Sequence, residues 1–236
     1  MTSETDLRLG GFVPLSAVDW QDSLTATVFT RGCPWDCPYC HNAHLRSPDV
    51  TPPGETGERP AAWDGMRPFL RSRLGLLDGV IFSGGEPTMQ PGLAAAMAEV
   101  RAMGLHVGLH TGGPDPERLA RVLGLADWVG FDAKAPFDRY ETVTRVNGSG
   151  AGALESLRRT LASGAEVEVR TTIHPDLLPL PELARLGVQL KEEGVGRWVL
   201  QRYRSVGVRR PLREAALPDE AILPALAEGP AIIRFR

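Results

Sequence analysis

The sequence predicts an α/β protein, a partial, open (β/α)6 TIM-like barrel of parallel strands. Three observations carry this expectation. Short runs rich in Val, Ile, Leu or Phe, bounded by Gly, Asp or polar clusters, alternate with segments of helical periodicity, and that alternation is the mark of a parallel sheet. Six such strand-helix units can be read, short of the eight that close a full barrel. The polar motifs follow the strands directly, at the C-terminal ends where barrel folds gather their active sites.

In order along the chain, the candidate strands are 24–30, 78–83, 105–110, 127–132, 165–172 and 196–201. The first runs into a cysteine-bearing loop, and the second ends in Ser83-Gly-Gly-Glu-Pro87. His110-Thr-Gly-Gly113 closes the third, Asp132-Ala-Lys134 the fourth, and Arg170 to His174 the fifth. Between them, a helix over 91–103 opens at Pro91, sets Leu93, Met97 and Val100 on one face and stops at Gly104. A helix over 116–123 takes Asp115 as its N-cap and faces Leu119, Val122 and Leu123 inward. Helices over 152–163 (Leu154, Leu157, Leu161, then Gly164) and 182–193 (Leu183, Leu186, Leu190, then Gly194) complete the pattern, their apolar stripes read as core. Residues 46–60, rich in Pro and Gly, read as a loop within the domain. The chain is expected to be one domain over 1–236, with an irregular C-terminal extension at 208–236.

With 236 residues, 42% of them hydrophobic and 23% charged, the chain can bury a substantial core and is neither disordered, collagen-like nor coiled-coil. A formal net charge of -3 argues against nucleic-acid binding by bulk charge. No run of 18 apolar residues offers a membrane span, and Met1 to Asp6 is polar and acidic, unlike a leader. A soluble, cytoplasmic protein is expected.

All three cysteines fall within eight residues, as Cys33-Pro-Trp-Asp-Cys37-Pro-Tyr-Cys40. Three clustered thiols make a poor disulfide framework and point to metal or redox chemistry. A zinc site would need a fourth ligand, which His41 or His44 could supply. A redox pair would use Cys37 and Cys40 and leave Cys33 idle. A [4Fe-4S] cluster takes one thiolate per corner, so three cysteines hold three irons and leave the fourth open. Because the chain has no further cysteine, it has neither an auxiliary cluster nor a separate catalytic thiol.

The C-x3-C-x-aromatic-C loop, with Tyr39 before Cys40, and Gly84-Gly85-Glu86-Pro87 about fifty residues on together resemble the two motifs of radical S-adenosylmethionine enzymes. Within them the chain resembles the glycyl-radical-enzyme activases, and is most similar to activating proteins of anaerobic ribonucleoside-triphosphate reductase. Leu9-Gly-Gly-Phe-Val-Pro-Leu-Ser16, Arg31-Gly-Cys-Pro-Trp35, Cys40-His-Asn42 and Phe82-Ser-Gly-Gly-Glu-Pro-Thr88 carry the likeness. So do Gly108-Leu-His-Thr111, Asp127-Trp-Val-Gly-Phe-Asp132-Ala-Lys134-Ala-Pro136 and Glu168-Val-Arg-Thr-Thr172, and the resemblance runs over about 7–207.

The resemblance implies that Cys33, Cys37 and Cys40 hold a [4Fe-4S] cluster whose open iron is chelated by S-adenosylmethionine. One electron then cleaves the sulfonium to methionine and a 5'-deoxyadenosyl radical. It also implies cofactor contacts. Glu86 lies near the cofactor ammonium, directly or through loop geometry, and Gly84 and Gly85 let backbone approach the cofactor. Tyr39 and His41 meet the adenine, Thr111 belongs to the same set, and Asp132 and Lys134 meet the ribose and carboxylate ends. Arg170 is a carboxylate partner through its guanidinium, and Arg204 falls near the ribose. His110 stands where relatives have an aspartate at a cation site, so no monovalent cation is expected. The implied partners are the catalytic subunit of anaerobic ribonucleotide reductase, whose glycine loses a hydrogen atom, and a flavodoxin or ferredoxin as electron donor. No nucleic acid or membrane is involved.

Other readings stay open. A small-molecule substrate such as a pterin, as in 7-carboxy-7-deazaguanine synthases, would use the same cofactor, and a zinc-stabilised binding module would use the cysteines with His41 or His44. His106 reads as a packed strand residue, His44 and His174 as loop residues, and Trp35 as a shield. Lys134 and Arg170 read equally as solvated strand ends. Arg197, Arg202, Arg209, Arg210 and Arg213 read as a solvated face that could also dock an acidic partner.

Overall fold

The computed structural model describes residues 7–49 and 62–235. Most of the proline-rich loop at 46–60 lies outside these residues. The described chain forms one eight-stranded sheet whose spatial order is the sequence order: β1 (Leu9–Ser16), β2 (Thr25–Thr30), β3 (Gly79–Gly84), β4 (His106–Thr111), β5 (Trp128–Asp132), β6 (Glu166–Ile173), β7 (Arg197–Arg202) and β8 (Ile232–Phe235). β1 runs antiparallel to β2, and every later neighbour pair is parallel. The α/β architecture with an open, mostly parallel sheet is the one the sequence predicts. The six expected strands begin within a residue of their expected positions.

The strand count is a correction. β1 escapes the pattern because Gly10, Gly11 and Pro14 interrupt it, and its pairing with β2 carries two register irregularities. β8 lies in the stretch expected to be irregular, and three of its four residues, Arg234 among them, are exposed on an edge strand, the fourth being half-buried. Three helices were also not anticipated: α1 (Trp63–Ser72), with Pro68 inside it, a single turn at Glu141–Thr144, and α7 (Asp219–Ala225), with Pro224 inside it. Trp63, Met66 and Leu70 are nevertheless the buried face of α1, at helical spacing.

Helices α2 (Leu93–Ala102), α3 (Pro116–Leu123), the single turn α4 (Glu141–Thr144), α5 (Ser149–Leu161) and α6 (Leu180–Glu192) fill the crossovers. The apolar stripes of α2, α3 and α6 are buried as their periodicity demands. Asp115 caps α3, its carboxylate accepting from the Glu117 and Arg118 N–H groups at 3.0 Å each. None of the described helices is long and apolar enough to cross a membrane. What this fold contributes to a site is alignment: parallel pairing brings Thr30 beside Gly84 and Asp132 beside Arg170, so the C-terminal ends of β2 to β6 open onto one place.

Candidate active site

The cysteine loop leaves β2 and folds back on its own base. Gly32 N–H donates to the Leu45 carbonyl at 2.8 Å, Cys33 N–H to the Arg46 carbonyl at 3.0 Å, and Cys40 N–H to the Cys37 carbonyl at 3.1 Å. Arg46 Nε closes the loop from within by donating to the Trp35 carbonyl at 2.9 Å. All three cysteines are free, half-buried, and line a cavity of about 280 Å³ at the strand ends. Burial pushes the Cys33 thiol up to about 12, with the Glu86 carboxylate adding to it. Burial likewise pushes Cys37 up to about 11, against the pull of Lys134, and raises Cys40. Left to themselves these thiols keep their protons. Their thiolates need a cationic centre, and a bound metal supplies one by deprotonating its thiol ligands.

The donor set therefore fits an iron-sulfur cluster: three soft sulfurs on one loop, facing one cavity, with a lysine ammonium beside them. Among the described residues no group of three His, Cys, Asp or Glu side chains converges on a single point as ligands of one ion would. A cluster asks for a different arrangement, with each thiolate on its own iron.

The Gly-Gly-Glu turn at the end of β3 is bonded to this loop. Gly85 N–H donates to the Thr30 carbonyl at 2.9 Å and Glu86 N–H to the Gly32 carbonyl at 2.8 Å. Asn42 Nδ2 donates to the Gly84 carbonyl at 3.1 Å from the other side. The structure adds a second reason for the glycines. Gly84 has φ of +112°, and a Cβ there would strike the Thr30 backbone. A Cβ on Gly85 would lie 2.5 Å from the Gly32 carbonyl oxygen. The crowding neighbour is the base of the cysteine loop.

Glu86 is 3% exposed and acts as a bracket between β3 and β4. Its Oε1 accepts from Thr88 N–H (3.2 Å), Thr88 Oγ1 (2.7 Å) and Thr111 Oγ1 (2.7 Å), and its Oε2 from Gly112 N–H (3.0 Å). Burial pushes its carboxyl pKa up while these four donors pull it down. These four bonds are what a role for Glu86 through loop geometry would use.

The opposite wall is a buried charge network. Arg170 Nε donates to Glu168 Oε1 at 2.8 Å, and the pair's side chains are 5% and 1% exposed. Arg170 also donates to His110 Nε2 at 2.8 Å and to the Asp19 carbonyl, and its guanidinium lies 4.8 Å from the Trp128 ring centroid. Since a guanidinium only donates, His110 Nε2 is an acceptor, and Nδ1–H donates to Ser83 Oγ at 3.1 Å. The imidazole is neutral: burial, then the Arg170 charge, lower its pKa to about 4. Arg170 thus already has a carboxylate partner within the protein, Glu168 of the same strand. Neither Arg170 nor Lys134 is a solvated strand end.

Lys134 Nζ lies 3.3 Å from Asp132 Oδ2 and 5.7 Å from the ring centroids of both Trp35 and Tyr39. Burial opposes its charge, but the neighbouring Tyr39, Asp132 and Cys37 outweigh that and raise its pKa well above the ordinary lysine range. Trp35 is buried and seals the cavity against Gly112, where a Cβ would run into its ring.

Every residue expected at the site except Arg204 lines the cavity: Cys33, Cys37, Tyr39, Cys40, His41, Gly84, Gly85, Glu86, Thr111, Asp132, Lys134 and Arg170. Arg204 stands outside it, and only its carbonyl reaches His41, 2.9 Å from Nε2. The cavity also takes in Asp19, Phe29, Ser83, Thr172 and Gln201, which sequence reasoning did not single out. His174 is fully buried, accepting from Asp176 N–H and donating to the Arg213 carbonyl at 3.0 Å. His106 is exposed rather than packed, 3.7 Å from Asp127.

Residues 27–179 match the Radical SAM superfamily, a span of more than half the chain. A protein of Methanocaldococcus jannaschii, provisionally named a glycyl-radical enzyme activating enzyme, is 27% identical over 191 residues, covering 78% of this chain and 75% of that protein. Among solved structures, Streptococcus suis SuiB bound to its precursor peptide SuiA matches with a TM-score of 0.67 at 11% identity, over 87% of this chain and 46% of SuiB. This chain therefore spans less than half of SuiB. TYW1 with a lysine-pyruvate adduct matches with a TM-score of 0.61 at 15% identity, over 85% of this chain and 71% of that one. Both structures support the fold. Membership implies S-adenosylmethionine and an iron-sulfur cluster, which the cavity's three thiols are suited to hold, and the chain belongs to the radical S-adenosylmethionine superfamily.

Proposed function

We propose that this chain is an activase: it cleaves S-adenosylmethionine at a [4Fe-4S] cluster and abstracts a hydrogen atom from a glycine of anaerobic ribonucleoside-triphosphate reductase. The observation that carries the reading is the convergence of Cys33, Cys37 and Cys40 with the Gly84-Gly85-Glu86 turn on one cavity at the strand ends. The name of the Methanocaldococcus jannaschii relative supports a glycyl-radical enzyme as the partner. When bound, the cluster and cofactor supply one-electron cleavage of the carbon-sulfur bond and a carbon radical strong enough to take hydrogen from a glycine.

The chain's own residues do the rest. Cys33, Cys37 and Cys40 are the cluster ligands, and Lys134 sets a cation beside Cys37, easing the accumulation of negative charge there. Trp35 and Tyr39 exclude water from the thiols, being 4% and 7% exposed. Asp132, at the end of β5, keeps a partly exposed carboxylate able to accept from hydroxyl or ammonium groups. Ser83 Oγ accepts from His110, which frees the hydroxyl proton to be donated into the cavity. Arg170, held by Glu168 of its own strand, is a positioning residue that ties β6 to β4 through His110.

An anaerobic electron paramagnetic resonance experiment tests this. Reconstituted protein, reductant, S-adenosylmethionine and an anaerobic ribonucleotide reductase are combined, and 5'-deoxyadenosine is quantified in parallel. A glycyl-radical doublet that is lost in a Cys37→Ala variant is the expected result. Cofactor cleavage with no doublet would overturn the partner and move a small-molecule substrate forward.

A further inference from the structure

The cysteine loop is a thin wall, and its outer side is unlike the cavity within. Cys33, which lines the cavity, also lines a recess walled by Arg8, Arg31, Arg46 and Arg118 and, among the described residues, by no acidic one. Cys37 likewise borders a second recess walled by Arg46, Arg145, Arg209 and Arg210, with Asp36 as its one acid. On a chain of net charge -3, this is a concentrated positive collar around the two cysteines.

Its charge is only partly neutralised among the described residues, and the surplus lies at Arg31, Arg209 and Arg210. Asp36 is shared between Arg46 and Arg145, Arg118 pairs with Asp115 at 3.2 Å, and Arg8 reaches Asp49 only at 3.9 Å. Arg209 and Arg210 are exposed and have no ion-pair partner among the described residues, unlike Arg197, Arg202 and Arg213, which pair with Glu166, Asp219 and Asp176. Arg31 is the sharpest case. It is 4% exposed, its Nε donates to the Leu9 carbonyl at 3.1 Å, and both terminal nitrogens are buried with no hydrogen-bond partner among the described residues. A buried guanidinium without a counter-charge projects its field outward with little screening.

We infer that this arginine collar is the docking surface for the electron donor, an acidic one-electron carrier protein, which binds over the outer face of the cysteine loop and so leaves the cavity mouth to S-adenosylmethionine and the substrate glycine. The inference rests on the function proposed above and adds where the electron enters. One electron leaves the carrier, which is oxidised by one unit, and reduces the cluster by one unit; no bond or proton is exchanged. A transient redox complex of this kind needs little buried area and draws its rate from complementary charge.

The test uses the cluster-loaded protein with reduced flavodoxin as the probe, following bleaching of the cluster absorbance by stopped flow. In an Arg118→Glu/Arg209→Glu/Arg210→Glu variant, the second-order rate should fall at least tenfold at low salt, within the range electrostatic steering supplies. The deficit should shrink as salt shortens the screening length. Reduction by a small uncharged photoreductant should be the same in both proteins, showing that fold and cluster are intact. Equal flavodoxin rates at low salt, or a rate indifferent to salt, would overturn the docking surface. Failure to load a cluster would overturn it together with the proposed function. Normal bleaching by flavodoxin without a glycyl radical would overturn only the activase reading.

Discussion

Glu86→Gln separates the two roles open to the glutamate of the Gly-Gly-Glu turn. In the structure its carboxylate meets four donors and no acceptor: three on Oε1 and the Gly112 N–H on Oε2. A glutamine has one acceptor oxygen. If that oxygen takes the Oε1 position, the amide N–H group faces the Gly112 N–H; if the amide flips, it faces the Thr88 N–H. One buried backbone donor is left unpaired either way, at about 1–3 kcal/mol, and the remaining bonds lose their charge assistance, about 1 kcal/mol more. Against this, the substitution removes a desolvated charge whose burial already raises its pKa. The net loss should be about 2 kcal/mol, read as a lower denaturant midpoint at unchanged m-value under anaerobic conditions. Thr111→Val removes a single donor and should cost about 1 kcal/mol. The double variant should cost less than the sum, because both changes disrupt one network. A Glu86→Gln protein within about 0.5 kcal/mol of the parent that has nonetheless lost S-adenosylmethionine binding would refute the bracket and make Glu86 a cofactor ligand.

Two further outcomes follow from the same walls of the site. A Cβ at Gly85 would sit 2.5 Å from the Gly32 oxygen where ordinary contact begins at 3.4 Å, so Gly85→Ala should part the turn from the cysteine loop by about 0.9 Å. A misplacement near 1 Å costs about 100-fold in rate; 5'-deoxyadenosine formation should drop by that order with the circular dichroism spectrum retained, and an unchanged rate would refute the loop contact. For His110, the folded-state pKa of about 4 lies below the free value of 6.5. As pH falls through that window the unfolded chain takes up the proton first, so this stability is complete above 6.5 and is lost towards 4, about 3 kcal/mol in all. Urea unfolding from pH 7 to 4 should show a shallower decline in His110→Gln; parallel slopes would count against the neutral imidazole.

The parts of the molecule legible in its sequence are those whose reasons are local. Val80-Ile81-Phe82 and Val107 to Leu109 read as strands because both of their faces are buried, and the three cysteines read as a ligand set because they share one loop. β1 and β8 were hidden because edge strands tolerate Gly, Pro and charge that a central strand does not. Gly84 and Gly85 announced a need for smallness but not the neighbour that imposes it, since Thr30 and Gly32 lie more than fifty residues away and meet them only through parallel pairing. The reading of Arg170 had a usable signal that went unused. Glu168 and Arg170 are two apart on a strand, and the pleat sets such residues side by side on one face. His110, by contrast, becomes their neighbour only once the sheet order is known.

These reasons together explain why the cysteines stand out chemically. Around the cavity the protein compensates its own charges: Arg170 against Glu168, Lys134 against Asp132, and Glu86 against four donors. Groups so engaged are fixed in place, and of them only Asp132 keeps a partly exposed carboxylate to offer a ligand. The three thiols are the exception on the inner side, since their charged forms are disfavoured by burial and by one another and lack a full counter-charge in the protein. On the outer side of the same loop the exception is Arg31 with Arg209 and Arg210. Uncompensated groups mark where a protein awaits something from outside. Here they lie on the two sides of a single loop, the sulfurs lining the cavity and, outside it, the buried Arg31 with the exposed Arg209 and Arg210, the arrangement that the proposed docking of an electron donor calls for.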